Sequence, residues 1–442
     1  MTAPEAPRSV SMGTTGPVSM AGPGEDIVRH LSAERSEPQW MLQLRLRGLD
    51  SLRTEGVPSW ASFLRSVDYA RMVSAVEPPT GVPGESHGNA ALSPGLASLD
   101  ASEEAYRALR EDLRHLGVRF GGLPSVLNAD PELVRSHFAS VVAADANPLA
   151  ALNAALWSDG SFLYVPPGVA VPVPLQAEIR ADYTGVEPFE RNVLIADRGS
   201  DVTYIEGCTA PVYTPDQLHV STIEVVALPG AHVRYIALQN FSREVDNLVT
   251  KRASVHAGAS VEWIDINLGS RRSWKVPRAD LLGAEASADF VGVALAGAGQ
   301  STHVGAEMVH LAPRTRSRIA NHAVVHRGGG AVLESGVRVA AGATEVASTI
   351  EWSSLMLDSE SRAQTVPAIE VDEADAHISQ SGAVRKVGEE ILFYMSSRGV
   401  SAEEAVRLVV LGLAGIATRR IPVEYAVEVD RLIELELGGA VG

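Results

Sequence analysis

The spacing of apolar positions divides the chain into three stretches. Between Gly24 and Trp60 the pattern is mostly helical. Leu42, Leu46 and Leu49 recur on one helical face. In Glu37-Pro38-Gln39-Trp40 the proline falls near a first turn, where its missing N–H costs nothing. Residues 77–100 are rich in Pro, Gly and Ser and read as a linker. Ser102-Glu103-Glu104 reads as the cap of a further helix running to about Leu116. Asp130-Pro131-Glu132 opens another, with Val134, Phe138 and Val141 at helical spacing, and Asn147 to Trp157 reads as helix too.

Near Ser158 the pattern changes. From there to about Leu357 the chain is a succession of short β-type segments, such as Val202-Thr203-Tyr204-Ile205 and Val261-Glu262-Trp263-Ile264. A Gly-Ala pair punctuates them at Gly230-Ala231, Gly258-Ala259, Gly283-Ala284 and Gly342-Ala343, at irregular intervals. Many short strands with small turn residues fit a β-helix, in which each coil stacks on the next. A β-sandwich is the competing architecture, but the stretch is long for one sandwich. Beyond it the chain is helical again. Gly388-Glu389-Glu390 leads into Ile391-Leu392-Phe393-Tyr394-Met395, and Arg398-Gly399 ends that run. Ser401-Ala402-Glu403-Glu404 reads as a capping box for a very apolar helix, and Pro422 precedes a last one reaching about Leu437. Such apolar helices must pack on the solenoid or on another protein.

Composition narrows the function. The net charge is −17, with Lys and Arg scattered among acids, so nucleic acid is not an expected partner. No run of eighteen apolar residues suggests a membrane span. Residues 1–24 are rich in Ser, Pro, Gly and Thr, lack the apolar core of a signal peptide, and read as a disordered leader, which points to the cytoplasm. The single cysteine, Cys208, excludes an intrachain disulfide and any multi-thiolate site within one chain. An iron–sulfur cluster here would need His, carboxylate or partner ligands. There is no Gly-x-x-x-x-Gly-Lys-Ser/Thr loop and no His-Glu-x-x-His run, and Gly297-Ala298-Gly299 is too short for a dinucleotide fingerprint. No catalytic motif is evident, and any ATP hydrolysis is expected from a partner.

An ordered set of words runs from about residue 26 to the C-terminus. The early ones are Glu37-Pro38-Gln39-Trp40-Met41-Leu42, Leu152-Asn153-Ala154-Ala155-Leu156-Trp157-Ser158 and Phe162-Leu163-Tyr164-Val165-Pro166. Pro174-Leu175-Gln176-Ala177, Glu206-Gly207-Cys208-Thr209-Ala210-Pro211 and Asn247-Leu248-Val249-Thr250-Lys251-Arg252 follow. Met308-Val309-His310-Leu311-Ala312-Pro313, Thr365-Val366-Pro367, Leu392-Phe393-Tyr394, Ser397-Arg398-Gly399 and Glu424-Tyr425-Ala426-Val427-Glu428 complete it. In this order the words resemble the SufB/SufD family of iron–sulfur cluster assembly proteins, and SufB more than SufD. The resemblance implies a mainly β fold: a right-handed parallel β-helix core flanked by N-terminal and C-terminal helical domains. The expected boundaries are 1–24, 25–157, 158–384 and 385–442. It also implies that the C-terminal helices dock a SufC-like ABC ATPase. The β-helix would pair with a SufD-like subunit or a second copy, a transient cluster would form near that interface, and a cysteine desulfurase or sulfur-transfer partner would supply sulfur.

The sequence departs from the family at the expected cluster site. SufB proteins carry a cysteine in an Asn-x-x-x-Cys-Asp segment; here Trp352 stands at that position, in the register fixed by Thr365-Val366-Pro367. An indole N–H only donates and offers iron no lone pair. A family Glu-His-Glu-Ala run is replaced by Ser379-Gln380-Ser381-Gly382. Another cysteine of some members falls at about Val255. The remaining candidates for holding a cluster or persulfide sulfur are Cys208 and His377. Cys208 also reads as a small buried strand residue, His310 as a hydrogen-bonded core histidine, and His303 as facing solvent. Lys251, Arg252 and Lys275 read either as lining a path for sulfur or as partners for acids. The functions to be separated are a cluster scaffold, a non-ligating SufD-like structural partner, a paralogue recruited to sulfur delivery, and a β-helical carbohydrate enzyme, the last lacking support from the family words.

Overall fold

The computed structural model describes residues 23–57, 61, 63, 64, 67, 90–94, 112–180, 189–210, 217–386 and 389–438. The leader up to residue 22, the Ser102 cap, Gly388 and most of the 77–100 linker lie outside these residues.

The core is a parallel β-solenoid of about seven turns. Sheet A has nine strands in the order β1 (Ala90–Pro94), β4 (Leu175–Arg180), β6 (Asp201–Ala210), β8 (His232–Phe241), β10 (Ser260–Gly269), β13 (Ser287–Ala296), β15 (Arg316–Val325), β17 (Ala347–Met356) and β19 (His377–Lys386). Sheet B has ten, ordered β18 (Arg362–Val371), β16 (Gly330–Val339), β14 (Ser301–His310), β11 (Arg272–Lys275), β9 (Val245–Val255), β7 (Gln217–Ala227), β5 (Phe189–Ala196), β3 (Ser161–Val165) and β2 (Arg119–Gly122). β12 (Arg278–Leu281) continues β11 between β9 and β14. The chain alternates between the sheets, so consecutive strands face each other and every second strand pairs. That parallel pairing decides against the sandwich. One register position recurs at Asp201, His232, Ser260, Ser287, Arg316, Ala347 and His377. β1 and β2 are the exceptions: they pair antiparallel with β4 and β3. β1 lies within the expected linker.

Several turns share one arrangement. A residue in the left-handed region is followed by a buried alanine. Gly230 (φ 72°) precedes Ala231 and Gly258 (φ 64°) precedes Ala259, both alanines fully buried. At Gly283-Ala284 the arrangement shifts by two: Glu285 (φ 65°) takes the left-handed position and Ala286 is buried.

Helices cover the outer faces. On sheet B lie α1 (Glu25–Glu34), α2 (Gln39–Glu55) and α5 (Pro148–Leu156), whose Leu31, Leu49, Leu152 and Leu156 pack on Phe189, Leu218, Val220 and Leu248. Buried Arg45 of α2 bonds Glu37 (2.5 Å) and the carbonyls of Ala155 and Trp157. α3 (Leu123–Ala129) and α4 (Pro131–His137) follow β2. α4 ends earlier than its apolar spacing suggests. Phe138 is extended and Ala139 left-handed, because the buried Glu224 carboxylate accepts the N–H groups of Ala139, Val141 and Val142, each at 2.9 Å. Arg191, also fully buried, pairs with Glu224 at 2.7 Å. Five charge-assisted hydrogen bonds to Glu224, two of them from Arg191, outweigh one more helical turn.

α6 (Glu389–Ser397), α7 (Ala402–Thr418) and α8 (Val423–Gly438) close the chain. Val410, Ala414, Val429 and Ile433 of α7 and α8 pack on Ile236, Ile264, Ile266 and Val293 of sheet A. The capping box forms on one side only: Ser401 Oγ accepts from Glu404 N (3.2 Å), while the Glu404 carboxylate turns to Arg407.

Candidate functional site

Alternation along each strand sorts side chains into inward and outward rows, and register aligns the rows along the solenoid axis. In sheet A one inward row reads Tyr204, Tyr235, Trp263, Phe290, Ile319, Ile350 and Gln380. Its aromatic rings stack at 5.0–5.1 Å between centroids from Tyr204 to Trp263. The next row, two residues on, reads Glu206, Ala237, Asp265, Gly292, Asn321, Trp352 and Gly382. Polar and small residues alternate there until Trp352. Facing it from sheet B are Glu190, His219, Asn247, Lys251 and Lys275, all buried.

These residues form a buried polar seam. Lys251 Nζ lies 2.8 Å from Asp265 Oδ1 and 4.3 Å above the Tyr235 ring, and Lys275 Nζ is 3.6 Å from Asp265 Oδ2. Burial raises the Asp265 pKa, but the two lysines outweigh it and hold the carboxyl below its ordinary value. Glu206 goes the other way: burial and then the neighbouring Glu190 raise it against the pull of Lys251 and Lys275. Asn192 Nδ2 donates to both Glu190 (2.5 Å) and Glu206 (2.9 Å). Asn247 Nδ2 donates to Gln239 (2.6 Å), which leaves its Oδ1 to accept from His219 Nδ1 at 2.7 Å. His219 Nε2 then faces Glu190 at 3.2 Å, where a proton can pass between ring and carboxyl. A cavity of about 10 Å³ between Glu206, His219, Ser221 and Lys275 has the room of one water. Further along, Asn267, Thr302, Ser335 and Ser354 keep buried polar atoms without a protein partner. The interior therefore holds buried cations and carboxylates side by side, with one water-sized void and several unpartnered polar atoms among them.

The candidate residues are placed far apart. Cys208 takes the register position of Gln239 and Asn267 on β6. His377 opens β19 and is exposed, in register with Ala347. Six strand spacings separate β6 from β19, roughly 29 Å at about 4.8 Å each. One group cannot be held by both within one chain. Lys251 and Lys275 line the seam and pair with Asp265, whereas Arg252 is on the outer face beside Arg278. His310 is buried between Thr315 (2.8 Å) and Ser317 (2.9 Å), and burial lowers its pKa to about 4. His303 does not face solvent: it is buried, stacked on Trp274 at 4.1 Å and bonded to Glu334 at 2.6 Å. Among the described residues no group of three His, Cys, Asp or Glu is arranged to hold a metal ion.

At the last coil Trp352 projects inward and lies over Gly382. A Cβ on Gly382 would sit 2.0 Å from the indole, so the large residue depends on the small one. The indole N–H is buried without an acceptor. No residue of β18 or β19 is buried.

The family model for the SUF system FeS cluster assembly SufBD core domain matches residues 179–413, and that for the SufBD protein N-terminal region matches 103–177. The chain belongs to the SufB/SufD family. An iron-sulfur cluster assembly SufBD family protein of Staphylococcus epidermidis is 38% identical over 444 aligned positions, covering 96% of this chain and 95% of the relative. Proteins of the same description from Staphylococcus haemolyticus and Staphylococcus aureus match to the same extent.

Within this SufB/SufD protein, sequence reasoning singled out Lys251 and Lys275 but missed most of the seam. Glu190, His219 and Asp265 stand outside the recognised words. Their signal is a charged or imidazole residue inside an otherwise apolar strand, as in Trp263-Ile264-Asp265-Ile266.

Proposed function

We propose that this SufB/SufD protein is the scaffold subunit of a SufBCD-type cluster-assembly complex in the cytoplasm, and that at its terminal coil it depends on a partner for most of the ligands. The observation that carries the reading is the last coil: two strands with no buried residue, next to a ligand position filled by Trp352. Exposed Ile369, Val371 and Val384 favour a SufD-like subunit or a second copy pairing there. A SufC-like ABC ATPase would dock on the C-terminal helices, where Phe393 (77% exposed), Val423 (69%) and Val427 (65%) stand out of the fold. A cysteine desulfurase or sulfur-transfer partner would supply sulfur. The Cys208 thiolate would attack the outer sulfur of the donor persulfide; the donor leaves as a thiolate, with no net redox change. The seam would carry sulfur onward past Lys251 and Lys275, with the Glu190–His219 contact exchanging protons. His377, exposed at the start of β19, is a candidate ligand for a transient cluster shared with a partner. Trp352 favours a second reading, a non-ligating SufD-like structural role.

Anaerobic reconstitution with iron and sulfide separates the two. The scaffold reading expects a cluster chromophore in a partner complex, and one that weakens in Cys208→Ser when a persulfide donor replaces sulfide as the sulfur source. No chromophore in any partner combination leaves only the structural role. Truncation before Gly388 should abolish co-purification with the ATPase, and unchanged binding would refute the docking surface.

A further inference from the structure

Where the C-terminal helices meet sheet A, a cleft of about 580 Å³ opens between the α7–α8 connection and the sheet's outer face. Its polar lining is Thr203, Arg234, Glu262, Arg419 and Arg420, with Ile236 and Pro422 among the apolar walls. Three guanidinium groups thus face one carboxylate, in a chain of net charge −17.

That carboxylate is already committed. Glu262 Oε2 pairs with Arg234 Nε at 2.5 Å, and Oε1 accepts from Arg420 Nη1 at 3.0 Å. Arg420 also reaches Asp289 Oδ2 at 2.6 Å. Glu262 and Asp289 are register partners on β10 and β13, and the guanidinium offsets the repulsion of two adjacent like charges. Arg419 has no such task. It is exposed, and its guanidinium makes no hydrogen bond or ion pair with any described residue. Its Nη1 lies over Gly415, where a Cβ would come within 2.8 Å. Arg234 engages Glu262 through Nε alone and keeps its terminal nitrogens for another acceptor.

The walls are held in place from both sides. Arg420 ties the connection to β10 and β13, and Tyr425 donates to Gln176 Oε1 at 2.6 Å, tying α8 to β4. The cleft is therefore preorganised, rich in donors, short of acceptors and within the size range of small-molecule sites. Guanidinium forks match the paired oxygens of phosphates and carboxylates. We infer that this cleft binds a small polyanion through phosphate or carboxylate oxygens, with Arg419 as its principal unpaired fork. The site requires neither a cluster nor a partner subunit.

Titration calorimetry on the full chain, at constant ionic strength, tests this with inorganic pyrophosphate and with citrate as separate probes. Saturable binding of at least one is expected, and the probe that binds distinguishes phosphate from carboxylate recognition. Arg419→Gln should lower the affinity about tenfold or more, the scale of a lost charge-assisted contact. Arg419→Lys should fall between, keeping the charge without the fork. Arg135→Gln, on α4 and outside the cleft, should bind like the wild type. The inference is overturned by the absence of saturable heat from both probes, by unchanged affinity in Arg419→Gln, or by an equal loss in Arg135→Gln, which would mean diffuse attraction only.

Discussion

The first coils of the β-helix and its last coil are built from the same rows of side chains, yet they end differently. At the N-terminal end β1 and β2 run antiparallel to the first coils, helices cover sheet B, and even charged residues such as Arg191 and Glu224 are fully buried. At the C-terminal end no residue of β18 or β19 is buried, and the inward rows finish in Gln380 and Gly382. A coil in a solenoid is buried only when it has a neighbour on each side. The chain supplies that neighbour at one end and, among the described residues, not at the other.

The largest expected effect tests this contrast directly. Glu224→Ala strands a buried guanidinium and three backbone N–H groups, and should cost about 3–5 kcal/mol in urea unfolding. The matching change in the later coils, Glu351→Ala, removes a half-exposed partner of Arg318 (2.8 Å) and should cost less than about 1 kcal/mol. Equal losses would erase the distinction between the two ends.

His310 sharpens it by pH. Its folded pKa of about 4 lies below the ordinary 6.5, so the native state holds it neutral. Stability from this group is complete above 6.5 and is lost as pH falls toward 4, by up to roughly 3 kcal/mol. In His310→Gln the stability difference between pH 7 and pH 4 should shrink, and an unchanged difference would show that burial does not hold this imidazole neutral.

At the last coil, Trp352→Ala should cost about 2 kcal/mol, since the ring is only part-buried, and Gly382→Ala about 1–2 kcal/mol by displacing it. The double variant should lose less than the sum, because the alanine Cβ then meets no indole. Additive losses would mean that the two residues do not share one space.

The smallest effect lies in the seam. Glu206 has a raised pKa, so its contribution is present below the ordinary 4.5 and lost as pH rises through the folded value. Glu206→Gln should therefore gain stability relative to the wild type with rising pH. No change in slope between acid and neutral pH would show that burial does not raise the Glu206 carboxyl.

Much of the architecture was legible because it rests on local chemistry. The strand segments, the Gly230 and Gly258 turns, the Ser401 cap and the helix from Asn147 follow from residue type and spacing. Where reading failed, a distant group had intervened. α4 stops at His137 because Glu224, on β7, claims the next N–H groups. His303 is buried because Trp274 and Glu334 arrive from neighbouring coils. The Ala90–Pro94 strand exists because β4 offers it an edge.

Family, β-helix and terminal helices could be read from the sequence alone, since each is written in ordered words or in a short-range pattern. Only the tertiary structure decided that Cys208 and His377 lie six strands apart, that Asp265, Lys251, Glu206 and His219 share one interior, and that Gly382 makes room for Trp352. Those relations join residues a coil or more apart, and they depend on register. Register is set by how successive coils stack, a property that no single strand carries.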